Sequence, residues 1–366
     1  MQLRLISYKN LASFTQRIMQ KLNVSKEDAE IVADNLVLSN LRGIDSHGVA
    51  RLQRYVDGIK TGFILPDAKP EIIKESAVLA NVNGNNGLGQ PMGNFGMELA
   101  IKKAKESGIG FVTVNNSNHF GFTAYYSMKA LEHNLIGVAL TNSVPLVVPT
   151  FGKNATVGTN PIAVAVPTDK KRPWVMDFAT SVIARGKLEV YNRLAQKIPS
   201  GWATNEQGHT TEDTTLVLKN LVEHLGGGIL TLGGEGEKLG GHKGYGLAVM
   251  VDIFCGVLSG SNYGPDLVSK KDGKTNFPRI GHMFMVIDPE YFVNRDSFIK
   301  NMDNYIDTLI NSEKAEGEKR IYVHGEKEYE AYEHRIEFGC PLQEKTVEML
   351  LKLSEEYNEK IEFIKA

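Results

Sequence analysis

Apolar residues recur at Leu11, Phe14, Ile18 and Leu22, the three- and four-residue spacing of an amphipathic helix. Ser25-Lys26-Glu27-Asp28 then resembles a capping box opening a second helix, with Ala29, Val32, Ala33 and Leu36 on one face. The spacing predicts a third helix from about His47 to Lys60, with Ser46 as N-cap and Gly62 just beyond its end. After Pro66 and Pro70 the pattern changes to short β-prone runs at Val78–Val82, Gly110–Val114, Ile136–Leu140, Ile162–Val166 and Trp174–Met176. Helical stretches at Met92–Glu106 and Thr123–His133 lie between them, and strands alternating with helices argue for an α/β layer structure. Later come an apolar helix, Tyr245–Leu258, a strand, Phe284–Ile287, and closing helices at Phe298–Ile310 and Glu344–Ile364. Between those closing helices, Glu313–Arg335 is rich in Glu and Lys and reads as a solvated surface segment.

Composition narrows the class. With 366 residues, 42% hydrophobic and 23% charged, the chain is long enough for two domains, or for one core and a lobe. The pattern divides it into a helical lobe over residues 1–75, joined by helices from 297–366, and an α/β core over 76–296. A formal charge of -2 gives no reason to expect nucleic acid or an anionic membrane as partner. No apolar run approaches the roughly 18 residues of a membrane span, and Met1–Leu22 reads as a helix rather than a secretion signal. Cys255 and Cys340 lack CxxC spacing and suit a reduced, cytoplasmic chain. The 36 glycines exceed the usual share of about 7% without a collagen period, so their positions carry the meaning.

Four segments could carry chemistry. On the predicted third helix His47, Arg51 and Tyr55 stand at i, i+4 and i+8, giving a proton donor, a cation and a hydroxyl on one stripe; the alternative is an ordinary solvated face. In Asn115-Asn116-Ser117-Asn118-His119-Phe120-Gly121, small polar residues follow a strand end, where sites of open α/β sheets gather; His119 is a catalytic group or a turn histidine. Asp177, after Trp174–Met176, accepts from ribose hydroxyls or caps the next helix. Gly240-Gly241-His242-Lys243-Gly244-Tyr245-Gly246 is a phosphate cradle or a flexible hairpin. Walker A, GxGxxG, HExxH and GxSxG patterns are absent, and no metal site is expected.

The order of these segments is more specific than any one of them. Asp45-Ser46-His47-Gly48-Val49, Gly87-Leu88-Gly89-Gln90, Ser117–Gly121, Thr159-Asn160-Pro161, Asp177–Ser181, Ile198–Ala203, Gly241–Leu247 and Ile287-Asp288-Pro289 together resemble the non-Rossmann malate/lactate dehydrogenase family. That resemblance implies a mixed sheet with flanking helices in a non-Rossmann NAD(P)-binding fold, usually as a homodimer. It implies reduction of a 2-oxo acid to a 2-hydroxy acid, malate/oxaloacetate first, with lactate, sulfolactate, ureidoglycolate or a cyclic imine as alternatives. NAD is the expected cofactor and NADP the alternative. By the same resemblance His47 and His119 are the acid/base candidates, and Ser46, Arg51 and Tyr55 fall on substrate-side positions. Ser143, Asp177, Phe178, Ala179, His242, Lys243, His324, Gly325 and Glu326 fall on cofactor-side positions. Family members usually carry Pro-Gly-Glu at the last of these sites, and here His324 replaces the proline.

The chemistry so implied is hydride delivery to a carbonyl carbon while an imidazolium protonates the oxygen. A reading from another class is a metal-dependent hydrolase or lyase built on His47 and His119, sensitive to chelator and indifferent to nicotinamide. A third is a dinucleotide-binding sensor on an inactivated scaffold. Ten of the glycines fall between Gly226 and Gly246, so the excess maps onto the segments the resemblance marks as active-site loops.

Overall fold

A seven-stranded mixed sheet carries the site in the computed structural model, which describes residues 3–268, 270–271 and 274–364. Its strands are β2 (Glu71–Glu75), β3 (Leu79–Asn83), β4 (Ile109–Ser117), β5 (Ile136–Thr141), β6 (Ile162–Val166), β7 (Trp174–Phe178) and β12 (Ile280–Ile287). They are ordered β2-β3-β4-β12-β5-β6-β7. Three two-stranded pairs stand apart: β1 (Arg4–Ile6) with β13 (Cys340–Leu342), β8 (Ala203–Thr204) with β9 (Gly228–Ile229), and β10 (Lys270–Lys271) with β11 (Lys274–Thr275). Strand β12 is almost wholly apolar and buried on both faces, which suits its central place. Strands β3 and β4 run parallel, so a crossover must join them, and helix α4 (Gly89–Ser107) supplies it. The other neighbours run antiparallel.

Among the described residues the apolar pattern gives four buried clusters, the smallest joining Val251 and Cys255 to Leu140, Ile162 and Met283 of the sheet, and three larger ones. Leu11, Phe14 and Ile18 of α1 (Tyr8–Lys21) and Val32 and Leu36 of α2 (Lys26–Leu41) pack with Leu52 and Val56 of α3 (Leu52–Lys60). The same cluster takes Val347, Leu350 and Leu353 from α11 (Glu344–Tyr357). Each such buried side chain contributes about 1.5–3 kcal/mol, so both chain ends are needed to hold this unit together. A second core lies between the sheet and α4, around Val82, Met97, Val112, Tyr126 and Phe284. A third gathers Val147, Ile183, Leu188, Val217, Ile229 and Ala248 beneath α6 (Arg185–Arg193) and α7 (Thr214–Glu223). Helix α5 (Ala124–Lys129) packs against β5 and β6, and α9 (Arg295–Ile310) meets the loop after β6, where Asp303 accepts from the backbone of residues 169–171.

The fold departs from the sequence expectations at points that matter for the site. Residues 4–6 form β1 rather than helix, and Ser7 caps α1 by accepting from Asn10 N. The third helix starts late: Asp45–His47 and Val49–Arg51 are separate 3-10 turns, broken by an extended Gly48, and α3 begins only at Leu52. Asn40 competes successfully with helix here, since its Oδ1 accepts from Val49 N at 2.9 Å while its Nδ2 donates to Asp45 at 2.7 Å. Strand β4 runs on past Val114 to Ser117, because Asn115 and Asn116 satisfy their amides on Asn81, Ser259 and Asn83. Helix α8 (Gly241–Asp252) opens four residues earlier than the apolar run suggests, and the chain then passes through a π-turn at Ile253–Val257. Part of the Glu- and Lys-rich segment folds as α10 (Glu326–Phe338), which is no merely solvated stretch: Arg335 is drawn into an ion pair with Asp45.

Candidate active site

His119 sits just beyond the end of β4, and its backbone is fixed from below. A Cβ on Gly89 would come within 2.2 Å and 2.4 Å of the Asn118 and His119 carbonyl oxygens, so only glycine lets α4 start this close. Asn118 Nδ2 donates to the Gly87 carbonyl at 2.9 Å and to both oxygens of Asn86. The next ring, Phe120, stacks on His282 of β12 with centroids 4.4 Å apart. His282 is itself locked between Thr141 (2.8 Å) and Ser117 (2.9 Å), and burial holds its pKa down at about 3.

Tyr55 reaches His119 from the lobe, its hydroxyl 2.7 Å from Nδ1. Gly121 N also donates to Nδ1, at 3.3 Å. A backbone N–H can only donate, so Nδ1 carries the lone pair, Tyr55 donates to it, and the proton of the neutral ring is on Nε2. Tyr55 is fully buried, not the exposed hydroxyl that a stripe on a solvated helix face would give, and burial pushes its pKa up to about 12. The buried Gln90 amide lies against the same hydroxyl, yet neither its oxygen nor its nitrogen completes a hydrogen bond.

His47 faces His119 in a near-parallel stack, centroids 5.9 Å apart and planes 15° apart. Its Nδ1 is 2.9 Å from the Ser46 hydroxyl. Because α3 starts after it, His47 owes nothing to a helix dipole; burial, then Arg51 and Arg54, lower its pKa to about 4. His119 is held well below its ordinary value by burial, then by Arg54, His47 and Arg51. Both rings are therefore neutral near pH 7. Arg51 spends Nε on the Ser46 carbonyl at 2.7 Å, and among the described residues no carboxylate pairs with its remaining nitrogens. Two imidazoles and one unpaired guanidinium thus meet at the lobe–sheet boundary, an arrangement able to hold a carboxylate and exchange a proton at an adjacent oxygen.

The remaining candidates fall into a cavity and a loop cluster. A cavity of about 220 Å³ is lined by Arg42, Ile44, Val175, Asp177, His324 and Gly325, among others. Asp177 does cap a helix, though not the next one in sequence: its Oδ2 accepts from Ala124 N at 2.8 Å, at the start of α5. Burial outweighs that bond and the nearby Arg42 and raises its pKa to about 7. Phe178 and Ala179 follow Asp177 at the strand end but do not line the cavity, and the Glu326 carboxylate turns away to accept from Val323 N and pair with Arg320. Ser143, in the loop cluster, bonds Thr159 N; Thr159 O accepts from Thr180 N, and Thr180 O from Leu232 N. Gly244 packs on Leu232, which brings the exposed His242 and Lys243 in the first turn of α8 to this same cluster.

These residues fit a dinucleotide. The cavity is smaller than the roughly 300–1,000 Å³ of ordinary small-molecule pockets, so it takes one portion of the molecule. Arg42 presents a buried Nε without a partner there, and α8 offers a helix N-terminus with a lysine to a phosphate. Sequence reasoning passed over Arg42, Gln90 and Arg335. The first two lie within motifs quoted above or next to them, but Arg335 is announced by no local pattern.

The profile of the malate/L-lactate dehydrogenase family matches residues 6–351. The chain is 46% identical to a malate dehydrogenase of Pyrococcus horikoshii over 94% of its length and 93% of that protein's. It is 37% identical to a malate/(S)-sulfolactate dehydrogenase of Methanothermus fervidus, over 97% and 98% of the two chains. Its structure superposes on malate dehydrogenase from Entamoeba histolytica with a TM-score of 0.93 at 38% identity, covering 98% of this chain and 99% of that one. Sulfolactate dehydrogenase from Methanocaldococcus jannaschii gives 0.86 at 35% identity, over 98% of each chain.

Proposed function

The chain belongs to the malate/L-lactate dehydrogenase family, and from that premise we propose that it interconverts a 2-oxo acid and a 2-hydroxy acid with NAD(P), malate and oxaloacetate being the first pair to test and NAD the first cofactor. The observation that carries this reading is the His47–His119 stack with the unpaired Arg51 beside it. The bound nicotinamide supplies hydride chemistry at the carbonyl carbon. Asp177, Gly325 and Arg42 would hold one portion of the dinucleotide at the cavity, and Ser143, His242 and Lys243 another at the loop cluster.

The protein's own part is binding and proton transfer. Arg51 grips the substrate carboxylate through the nitrogens that Ser46 leaves free and turns the carbonyl toward His119. As an imidazolium, His119 gives its Nε2 proton to the carbonyl oxygen in reduction and is left neutral with its proton on Nδ1, where the Tyr55 oxygen turns to accept it; in oxidation the bare Nε2 takes the proton back. With its pKa held so low the ring is neutral near pH 7, whereas reduction needs an imidazolium. Burial is the larger cause of that state and the charges of Arg54 and Arg51 add to it; a bound carboxylate offsets those charges, so substrate binding favours uptake of a proton. His47 shares the field and the substrate side with Ser46.

Absorbance at the reduced-nicotinamide band, with NADH or NADPH and a panel of oxaloacetate, sulfopyruvate, pyruvate and a cyclic imine, tests the reading, with chelator added in parallel. Cofactor oxidation with a 2-oxo acid, unaffected by chelator, is expected. Silence across the panel overturns it, and chelator-sensitive activity without nicotinamide turns the assignment to the hydrolase or lyase class. The exposed apolar side chains of Leu239, just before α8, and of Ile253, Val257, Leu258 and Tyr263, after it, support a homodimer, which light scattering checks. Nothing about the composition calls for a compartment other than the cytoplasm.

A further inference from the structure

The turn that carries His47 lies along α10. Arg42 sits over the Tyr329 ring at 4.5 Å, and a Cβ on Gly43 would rest 3.3 Å from that of Ala331. Arg335 then clasps Asp45 with both terminal nitrogens, Nη1 to Oδ1 at 2.7 Å and Nη2 to Oδ2 at 3.1 Å, and Nη1 also donates to the Asn40 carbonyl. Asp45 opens the 3-10 turn in which His47 is the third residue. Its carboxylate receives Asn40 Nδ2 as well, so the turn is gripped from α2 and α10 at once. A fork-on-carboxylate pair fixes rotation as well as distance, which a single ammonium cannot do. The Arg335 side chain is 15% exposed and that of Asp45 38%, so the clasp is shielded on the arginine side and open to water on the other. The opposite end of the same helix is capped by Gly325, in the wall of the cavity that holds Asp177.

We propose that Arg335 is a positioning residue for His47, and that α10 holds the His47 turn in register with the Asp177 cavity at its other end. This rests on the assignment of His47 and His119 to the reacting centre. A loosened turn leaves the fold in place, and Arg51 on the next turn, which Asn40 holds through Val49 N, but lets His47 wander; displacement of about 1 Å at a reacting group is worth up to about 100-fold in rate.

The test is Arg335→Met, Arg335→Lys, Asp45→Asn and the Arg335→Met/Asp45→Asn pair in the full-length enzyme. It follows kcat and KM, the melting temperature, and the NMR titration of the His47 and His119 ring protons without cofactor. The proposal expects kcat to fall at least about tenfold in each single variant with KM changed by less than about threefold, and no further loss in the double variant. Lysine fails to rescue, and in a further variant, Arg335→Ala, added guanidinium restores part of the rate. In Arg335→Met the His47 titration moves while that of His119 stays. Wild-type kcat in a folded Arg335→Met variant overturns the proposal, and so do independent losses that simply add in the double variant. If the wild type turns over no 2-oxo acid, the dehydrogenase reading fails, while the His47 titration still decides whether Arg335 holds that ring.

Discussion

The pKa values of the proton-transfer corner and of the Asp177 cavity respond to burial in opposite directions, and both shifts favour the uncharged form. At the corner, desolvation lowers His47 and His119; in the cavity, desolvation raises Asp177 to about 7. The shift favours the uncharged form in each case, fully at the corner and to about half at the cavity near pH 7, and the fixed charges nearby are arginines: Arg51 and Arg54 at the corner, Arg42 at the cavity. On the proposed reading, a site whose titratable groups are shifted toward neutrality beside three arginines is matched to anionic ligands, a carboxylate at one end and a phosphorylated cofactor at the other. The comparison teaches that charge in this site is held in reserve and appears when ligands arrive.

The largest expected effect lies at the corner. His119→Ala removes the proton carrier and should lower kcat by about 10²–10⁴, with cofactor affinity, read by the fluorescence of reduced nicotinamide, nearly unchanged. His47→Ala should also lower turnover severely and leave NADH binding nearly intact. If His119→Ala keeps near-normal turnover while His47→Ala does not, the roles of the two rings are exchanged.

Arg51→Met comes next. It removes a charge-assisted pair worth about 1.5–3 kcal/mol, so KM for the 2-oxo acid should rise by about 10- to 100-fold. The same change removes a charge that depresses His47, so the His47 titration in the empty enzyme should move up from about 4 toward its ordinary value. A raised KM with an unmoved His47 titration would separate substrate grip from electrostatics and break the account of charge held in reserve.

Tyr55→Phe is smaller. It deletes the hydroxyl donating to His119 Nδ1 but keeps the packing of a fully buried ring. Loss of one such bond is worth about 1 kcal/mol, so kcat should fall by about fivefold and thermal stability only slightly. An unchanged kcat would leave Gly121 N alone as the group fixing the ring.

How far these regions could be read from sequence follows from the range of the contacts that make them. Helices α1 and α2 follow from local periodicity, and Ser25 caps α2 as its spacing predicts, accepting from Asp28 N at 3.1 Å. The mixed sheet and the meeting of His47 with His119 came from ordered motifs rather than periodicity. What stayed hidden depends on partners distant in sequence. Asn40 turns the expected helix at His47 into two short turns, His119 buries a tyrosine assigned to a solvated stripe, and Arg335 lies 290 residues from Asp45. Asp177 offered two roles, and the one visible here, accepting from Ala124, needs strand β7 to lie beside the start of α5.

The smallest effect tests the sign of the comparison. A carboxyl whose pKa rises from 3.8 to about 7 on folding binds its proton more tightly in the native state. Its stabilising contribution is complete below about pH 4 and disappears as pH rises through about 7. The depressed histidines act in reverse: the unfolded chain takes up protons below their ordinary value of 6.5, so they cost stability as pH falls toward about 4. Asp177→Asn keeps an oxygen to accept from Ala124 N and removes the titration. Measured by urea unfolding, the variant should gain on the wild type by about 1–2 kcal/mol between pH 5 and pH 8, the larger nominal linkage being reduced by relaxation around a partly exposed group. At pH 5, where the wild-type carboxyl is mostly protonated, the two should be nearly equal. A difference that stays constant across this range would mean that Asp177 is ionised throughout, paired with Arg42 in the resting protein, and that only the histidine corner holds its charge in reserve.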